Sequence, residues 1–199
     1  MSAHLTTPIS ERLLASGSRF LRSSLHAYDG SHWDVFALHA GAAVEHLMKA
    51  CLAAVNPALI AKRDHLQSII WFADPSRCSS PMHPDLRTIT FEESGKLLQM
   101  INTDVNKHND ILVAVQRARN SAAHLGPASA NEAQELLPKM LRLMNLLIEA
   151  AGGKLNHRPP DGEMPSRPKS GGLGWQTAGH AWRALSGRVA AHIRAVVGA

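Results

Sequence analysis

The chain has 199 residues, of which 45% are hydrophobic and 19% charged, so it can bury one well-packed core with an extension beside it and is not disordered as a whole. Only 5% is aromatic, and Ala, Leu and Met carry most of the apolar side, which points to an all-α fold rather than a β-sandwich. The net charge of +5 lies in the C-terminal part: residues 1–153 hold 14 Lys and Arg against 14 Asp and Glu, whereas residues 154–199 hold seven against two. Any attraction to nucleic acid inferred from the overall charge therefore belongs to the tail.

In chain order, Ile9, Leu13, Phe20, Leu21 and Leu25 recur at helical spacing and predict a helix from Ile9 to about Ala27, broken by Tyr28-Asp29-Gly30-Ser31. A longer helix is predicted from about Ser31 to Val55, with Phe36, Ala40, Val44, Leu47, Met48, Cys51 and Val55 as its stripe and Asn56-Pro57 as its stop. Ala58–Phe72 is read as one shorter helix and Asp74–Thr90, with three prolines, as a loop. Thr90-Phe91-Glu92-Glu93 has the spacing of a capping box and opens a helix to about Asn102. Another is predicted from about Asn106 to Leu125, stopped by Gly126-Pro127, with Ile111–Val115 as a buried helical segment. Ser129-Ala130-Asn131-Glu132 is a second capping box, opening a helix to about Ala151 in which Pro138 should produce a kink. Gly152-Gly153 closes a domain expected over residues 9–153. Residues 154–174, rich in Pro, Gly and Ser, read as a basic linker, and residues 175–198 as an amphipathic basic helix striped by Trp175, Trp182, Leu185, Val189 and Ile193.

Cys51 and Cys78 make neither a disulfide framework nor a zinc pattern, which suits a reducing, cytoplasmic setting. There is no apolar signal core and no run of about 18 apolar residues, so no membrane partner is expected. His32, His39 and His46 recur every seven residues, about 10 Å apart on a helix, which is too far for shared metal ligation. No metal or other cofactor is expected. Glu45 and Lys49, at i and i+4, read as a solvated helix pair. Trp175 and Trp182 read as anchors to protein.

One segment carries chemistry: Arg117-Ala118-Arg119-Asn120-Ser121-Ala122-Ala123-His124. Given the Arg and His content, about 0.8 pairs with the spacing of Arg119 and His124 arise by chance, and requiring Asn after the Arg lowers this to about 0.03. The types fit metal-free RNA cleavage. A histidine can move protons near neutral pH, and an arginine can hold two phosphoryl oxygens of a phosphorane. Asn120 and His124 share a helix face, and Arg119 lies about 100° round but has the length to converge with them.

The segment resembles the R-N-x-x-x-H motif of the HEPN superfamily (higher eukaryotes and prokaryotes nucleotide-binding). The order of the Val44–Ala50 helix, the Asn-Pro stop, the variable loop and one helix after the histidine is similar too. The resemblance covers about residues 9–151. It implies a bundle of four to five helices acting as a metal-independent endoribonuclease, a toxin or phage-defence effector. Cleavage would proceed by 2′-hydroxyl attack to a 2′,3′-cyclic phosphate, with Arg119, Asn120 and His124 catalytic. It also implies RNA as substrate and a homodimer, because two motifs would supply both an acid and a base. An antitoxin or defence-complex partner could dock on the C-terminal helix. Glu45, on the helix that would border the cleft, is an auxiliary candidate. The family members silenced by nucleotidylation carry a tyrosine two positions after the histidine, where this chain has Gly126, which speaks against that control. The competing class is a non-catalytic helical dimerisation module of the same fold.

Overall fold

The computed structural model describes residues 9–74, 85–124 and 129–155, with side chains of that last stretch described to residue 151. The chain divides into two units, Met1–Leu155 and Asn156–Ala199. The expected linker over 154–174 and helix over 175–198 fall almost wholly outside the described residues, as does the Gly126-Pro127 stop.

The described residues are all-α, with seven helices: α1 Ile9–Asp29, α2 Trp33–Val55, α3 Leu66–Ala73, α4 Phe91–Ile101, α5 Thr103–Asn106, α6 Asn109–His124 and α7 Ala130–Leu155. The excess over the expected four or five comes from the short α3 and α5.

α2 is the central element because it is apolar almost all the way round, with Phe36, Ala40, Val44, Leu47, Met48 and Leu52 fully buried. Four helices, α1, α4, α6 and α7, pack on it. By length and composition α2 could cross a membrane, and 67% of its most apolar window is buried inside the bundle, as in a core helix. α1 crosses α2 at Gly17, where an added Cβ would stand 3.0 Å from the Leu47 side chain. The opposite wall is α7, whose Leu137, Met140, Leu143, Met144 and Leu147 are buried and whose Leu147 carbonyl accepts a 3.1 Å bond from Cys51 Sγ.

Local chemistry sets the boundaries. Asn56 is extended, as the following proline demands, and ends α2 while its Oδ1 accepts from the Ala58 N–H. Both capping boxes form: Thr90 Oγ1 accepts from the Glu93 N–H at 3.2 Å and Glu93 from the Thr90 N–H at 2.7 Å, with the same reciprocal pair at Ser129 and Glu132. The Glu93 carboxyl is pulled down to about 2, first by the hydrogen bonds from the Thr90 backbone and hydroxyl and then by Lys62.

Four expectations need correction. Residues 58–72 are not one helix. A 3-10 turn over Pro57–Ile60 leads to Ala61, which makes an isolated antiparallel bridge with Thr88, and α3 starts only at Leu66. The pairing with a distant segment wins over local helix propensity: Ile89 donates to the Ile60 carbonyl and Lys62 to the Arg87 carbonyl. The helix expected from about Asn106 starts three residues later: Asn102 caps a separate short turn, α5, through Asp104 and Val105, which ends at Asn106, and α6 begins at Asn109. Within Ile111–Val115, Ile111, Leu112 and Val115 are buried but Val113 is 43% exposed. Finally, α7 runs through Gly152-Gly153 to Leu155.

Candidate functional site

α6 carries Arg119, Asn120 and His124 on its last two turns. A step of about 100° per residue separates their directions, and the bundle turns that separation into two environments.

Arg119 faces α2. Its aliphatic stem lies over Gly41, where an added Cβ would come within 2.5–2.8 Å of the Arg119 Cβ, Cγ and Cδ. Its Nη1 stands 3.1 Å from Glu45 Oε2. The other Glu45 oxygen accepts from Lys49 Nζ at 2.7 Å, and Lys49 also donates to Thr88 Oγ1 at 3.0 Å. A continuous polar chain thus runs Thr88–Lys49–Glu45–Arg119 from the segment before α4, across α2, to α6. It is well sheltered at one end: side-chain exposure is 8% for Lys49, 17% for Glu45 and 35% for Arg119. The solvated reading of Glu45 and Lys49 is therefore corrected. Both charges have been taken out of water and compensated by neighbours.

Asn120 and His124 are exposed and line the other side, a groove of about 820 Å³ between α6 and α7. Val113, Ala118 and Leu136 give it apolar patches. Arg117 and Lys139 add cations, and Glu132 and Glu135 add carboxylates. Glu132 is held below its usual range by its hydrogen bonds from Ser129, so it stays ionised at the groove's rim. Arg119 is not among the lining residues. Within one chain, then, the groove gathers Asn120 and His124, while the Arg119 guanidinium is secured on Glu45.

Gly41 and Thr88 were not singled out from the sequence, and Lys49 was read there only as half of a solvated pair. A signal for two of them existed: Gly41, Glu45 and Lys49 are spaced by four on an Ala-rich helix and so share a face. Thr88 is 39 residues from Lys49 and had none.

The heptad histidines take other places. His39 and His46 sit against the Phe20 ring at 5.9 and 5.2 Å between centroids, and the Nδ1 of each is buried without a hydrogen bond. Burial first, then the charges of Lys49 and Arg19, lower the His46 pKa against the opposing pull of Glu45. Among the described residues no group of three or more His, Cys, Asp or Glu is placed to hold a metal ion.

No protein-family model matches the chain, and comparison with curated proteins and with solved structures gives no significant match.

Proposed function

We propose that residues 9–153 form a HEPN-like, metal-independent endoribonuclease domain acting as a toxin or phage-defence effector. The observation that carries this reading is the placement of the R-N-x-x-x-H residues. They lie at the end of a helix whose Arg119 is anchored by Glu45 and whose Asn120 and His124 open on a groove. In the reaction, His124 takes the 2′-hydroxyl proton or returns one to the 5′-oxygen, and Asn120 orients the ribose or the imidazole. Arg119 stabilises the phosphorane's added charge, and Glu45 limits the rotamers from which it does so. The products are a 2′,3′-cyclic phosphate and a free 5′-hydroxyl.

One chain supplies one motif histidine, and its Arg119 points away from the groove that holds His124. A two-fold pair of α6 ends would put the Arg119 of one protomer beside the His124 of its partner and provide both acid and base. Light scattering at micromolar concentration should give a dimer. A monomer that keeps its activity rules out the shared site. A controlling partner would act through residues 175–198.

The second reading, a non-catalytic helical dimerisation module, is favoured by the same ion pair, since Glu45 neutralises the cation that a phosphorane requires. Incubating the purified chain with total RNA in EDTA separates them. Cleavage supports the nuclease, and intact RNA leaves the module.

A further inference from the structure

α1 buries one face on α2 through Gly17, Leu21, Ser24 and Ala27. Its opposite face presents Arg12, Ala15, Arg19, Arg22, Ser23 and His26, all exposed. The three arginines fall within about 80° of one another round the helix and span about 15 Å of its length. No acidic residue occurs between Arg12 and His26, although residues 1–153 as a whole are charge-balanced. Among the described residues the ion pairs involve Lys49, Lys62, Lys96, Lys107 and Arg119, and none of the three arginines forms one with another described residue.

The position of this stripe matters as much as its charge. Arg19 is close enough to His46 for its charge to act on that imidazole. The residue before His46, Glu45, pairs with Arg119. The Phe20 ring, next to Arg19 in the chain, lies 5.2 Å from the His46 ring, so the stripe passes α2 at the level of Glu45.

We propose that the Arg12–Arg19–Arg22 face of α1 binds the phosphate backbone of single-stranded RNA and leads it toward the α2–α6 contact. This rests on the ribonuclease reading, for which it supplies the substrate path. RNA suits the face better than a membrane does. The apolar side of α1 is already spent on α2, so a bilayer would meet charge alone, with no apolar side chains to insert. All three cations are arginines, whose planar fork holds two phosphate oxygens at once. The face has no Phe, Tyr or Trp for stacking, so it should track the backbone without reading bases.

The test measures binding and cleavage in parallel. Binding of a 5′-fluorescent single-stranded RNA is followed by anisotropy in the full-length His124→Ala chain, which leaves the RNA intact. The comparison is with the same chain carrying Arg12→Gln, Arg19→Gln and Arg22→Gln. Affinity at low salt should fall about tenfold or more, and the slope of log affinity against log salt should drop by about 2, near 0.7 per lost phosphate contact. The corresponding triple lysine variant should recover most of that slope, which guards against a folding defect. Lys96→Gln with Lys107→Gln, two exposed cations away from α1, should change little.

An unchanged slope in the glutamine triple overturns the proposal, and so does an equal loss in the Lys96/Lys107 control. A parent that binds no RNA, or a loss confined to vesicles of equal parts phosphatidylcholine and phosphatidylserine, also overturns it. Cleavage by the wild-type chain is scored separately. Intact RNA with a slope that depends on the stripe sinks the nuclease and keeps the surface, whereas cleavage with no such dependence does the reverse.

Discussion

Arg119 and His124 stand five positions apart on α6, yet their surroundings differ in kind. Under Arg119 the packing is close: a glycine that admits no extra carbon, a carboxylate at 3.1 Å, and behind it a lysine held at two points. Around Asn120 and His124 the helix opens on a groove with mixed charge and apolar patches. A helix with one face locked and the other free can hold a cation in register while leaving a proton-transfer group accessible to a ligand. Pre-organised charge is worth most where it need not rearrange during the reaction.

The contrast can be broken at several points. Arg119→Ala should lower RNA cleavage by about 100-fold to 1000-fold, the usual cost of one donor to a developing oxyanion. Glu45 keeps Lys49 in this variant, so the melting temperature should move little. A large thermal loss with no activity to lose would make Arg119 a strut.

Glu45→Ala strikes the locked face harder. It strands the buried Lys49 with only Thr88 and should cost about 3 kcal/mol in denaturant unfolding, near the lower end for breaking a buried pair. A loss below about 1 kcal/mol would return Glu45 and Lys49 to the class of solvated helix pairs.

Gly41→Ala tests the seat of the arginine stem. Helix propensity favours Ala by about 1 kcal/mol, whereas overpacking against Arg119 costs about 1–3 kcal/mol. The net effect alone should be neutral to destabilising. Combined with Arg119→Ala the same substitution should cost less, because the clashes with Cγ and Cδ are gone while the 2.8 Å approach to the Cβ of residue 119 remains, a coupling that a double-mutant cycle reads directly. Additivity would mean that the two residues do not press on one another.

How much of this was legible in the sequence follows from how local each feature is. The capping boxes at Thr90 and Ser129 and the stop at Asn56-Pro57 are contained in three or four consecutive residues, and all form as expected. The motif residues of α6 could likewise be placed on one helix. The break at Ala61 could not, because it depends on residues 87–89 offering backbone partners. Nor could the burial of Lys49, which needs Thr88, or the separation of Arg119 from the groove, which needs Gly41 on another helix. Periodicity tells which face is apolar. It does not tell which neighbour covers a polar one.

The smallest effect is expected away from both faces of α6. The Glu93 carboxyl is depressed in the folded chain to about 2 from an ordinary 4.5, so its contribution to α4 is fully present above pH 4.5 and is lost as pH falls toward 2. The gap in melting temperature between wild type and Glu93→Gln should therefore be constant near neutrality and narrow below pH 4.5. A gap that widens on acidification would contradict the capping-box assignment.

Metal-free cleavage by the motif histidine is tested by His124→Ala, in a cleavage assay on RNA in EDTA with the product ends identified. Wild-type protein should cut in the chelator and leave 2′,3′-cyclic phosphate ends. The variant should be slower by about 100-fold or more while melting within a few degrees of wild type. RNA left intact by the wild type, cleavage that chelation abolishes, or cleavage that survives in His124→Ala would each contradict that mechanism.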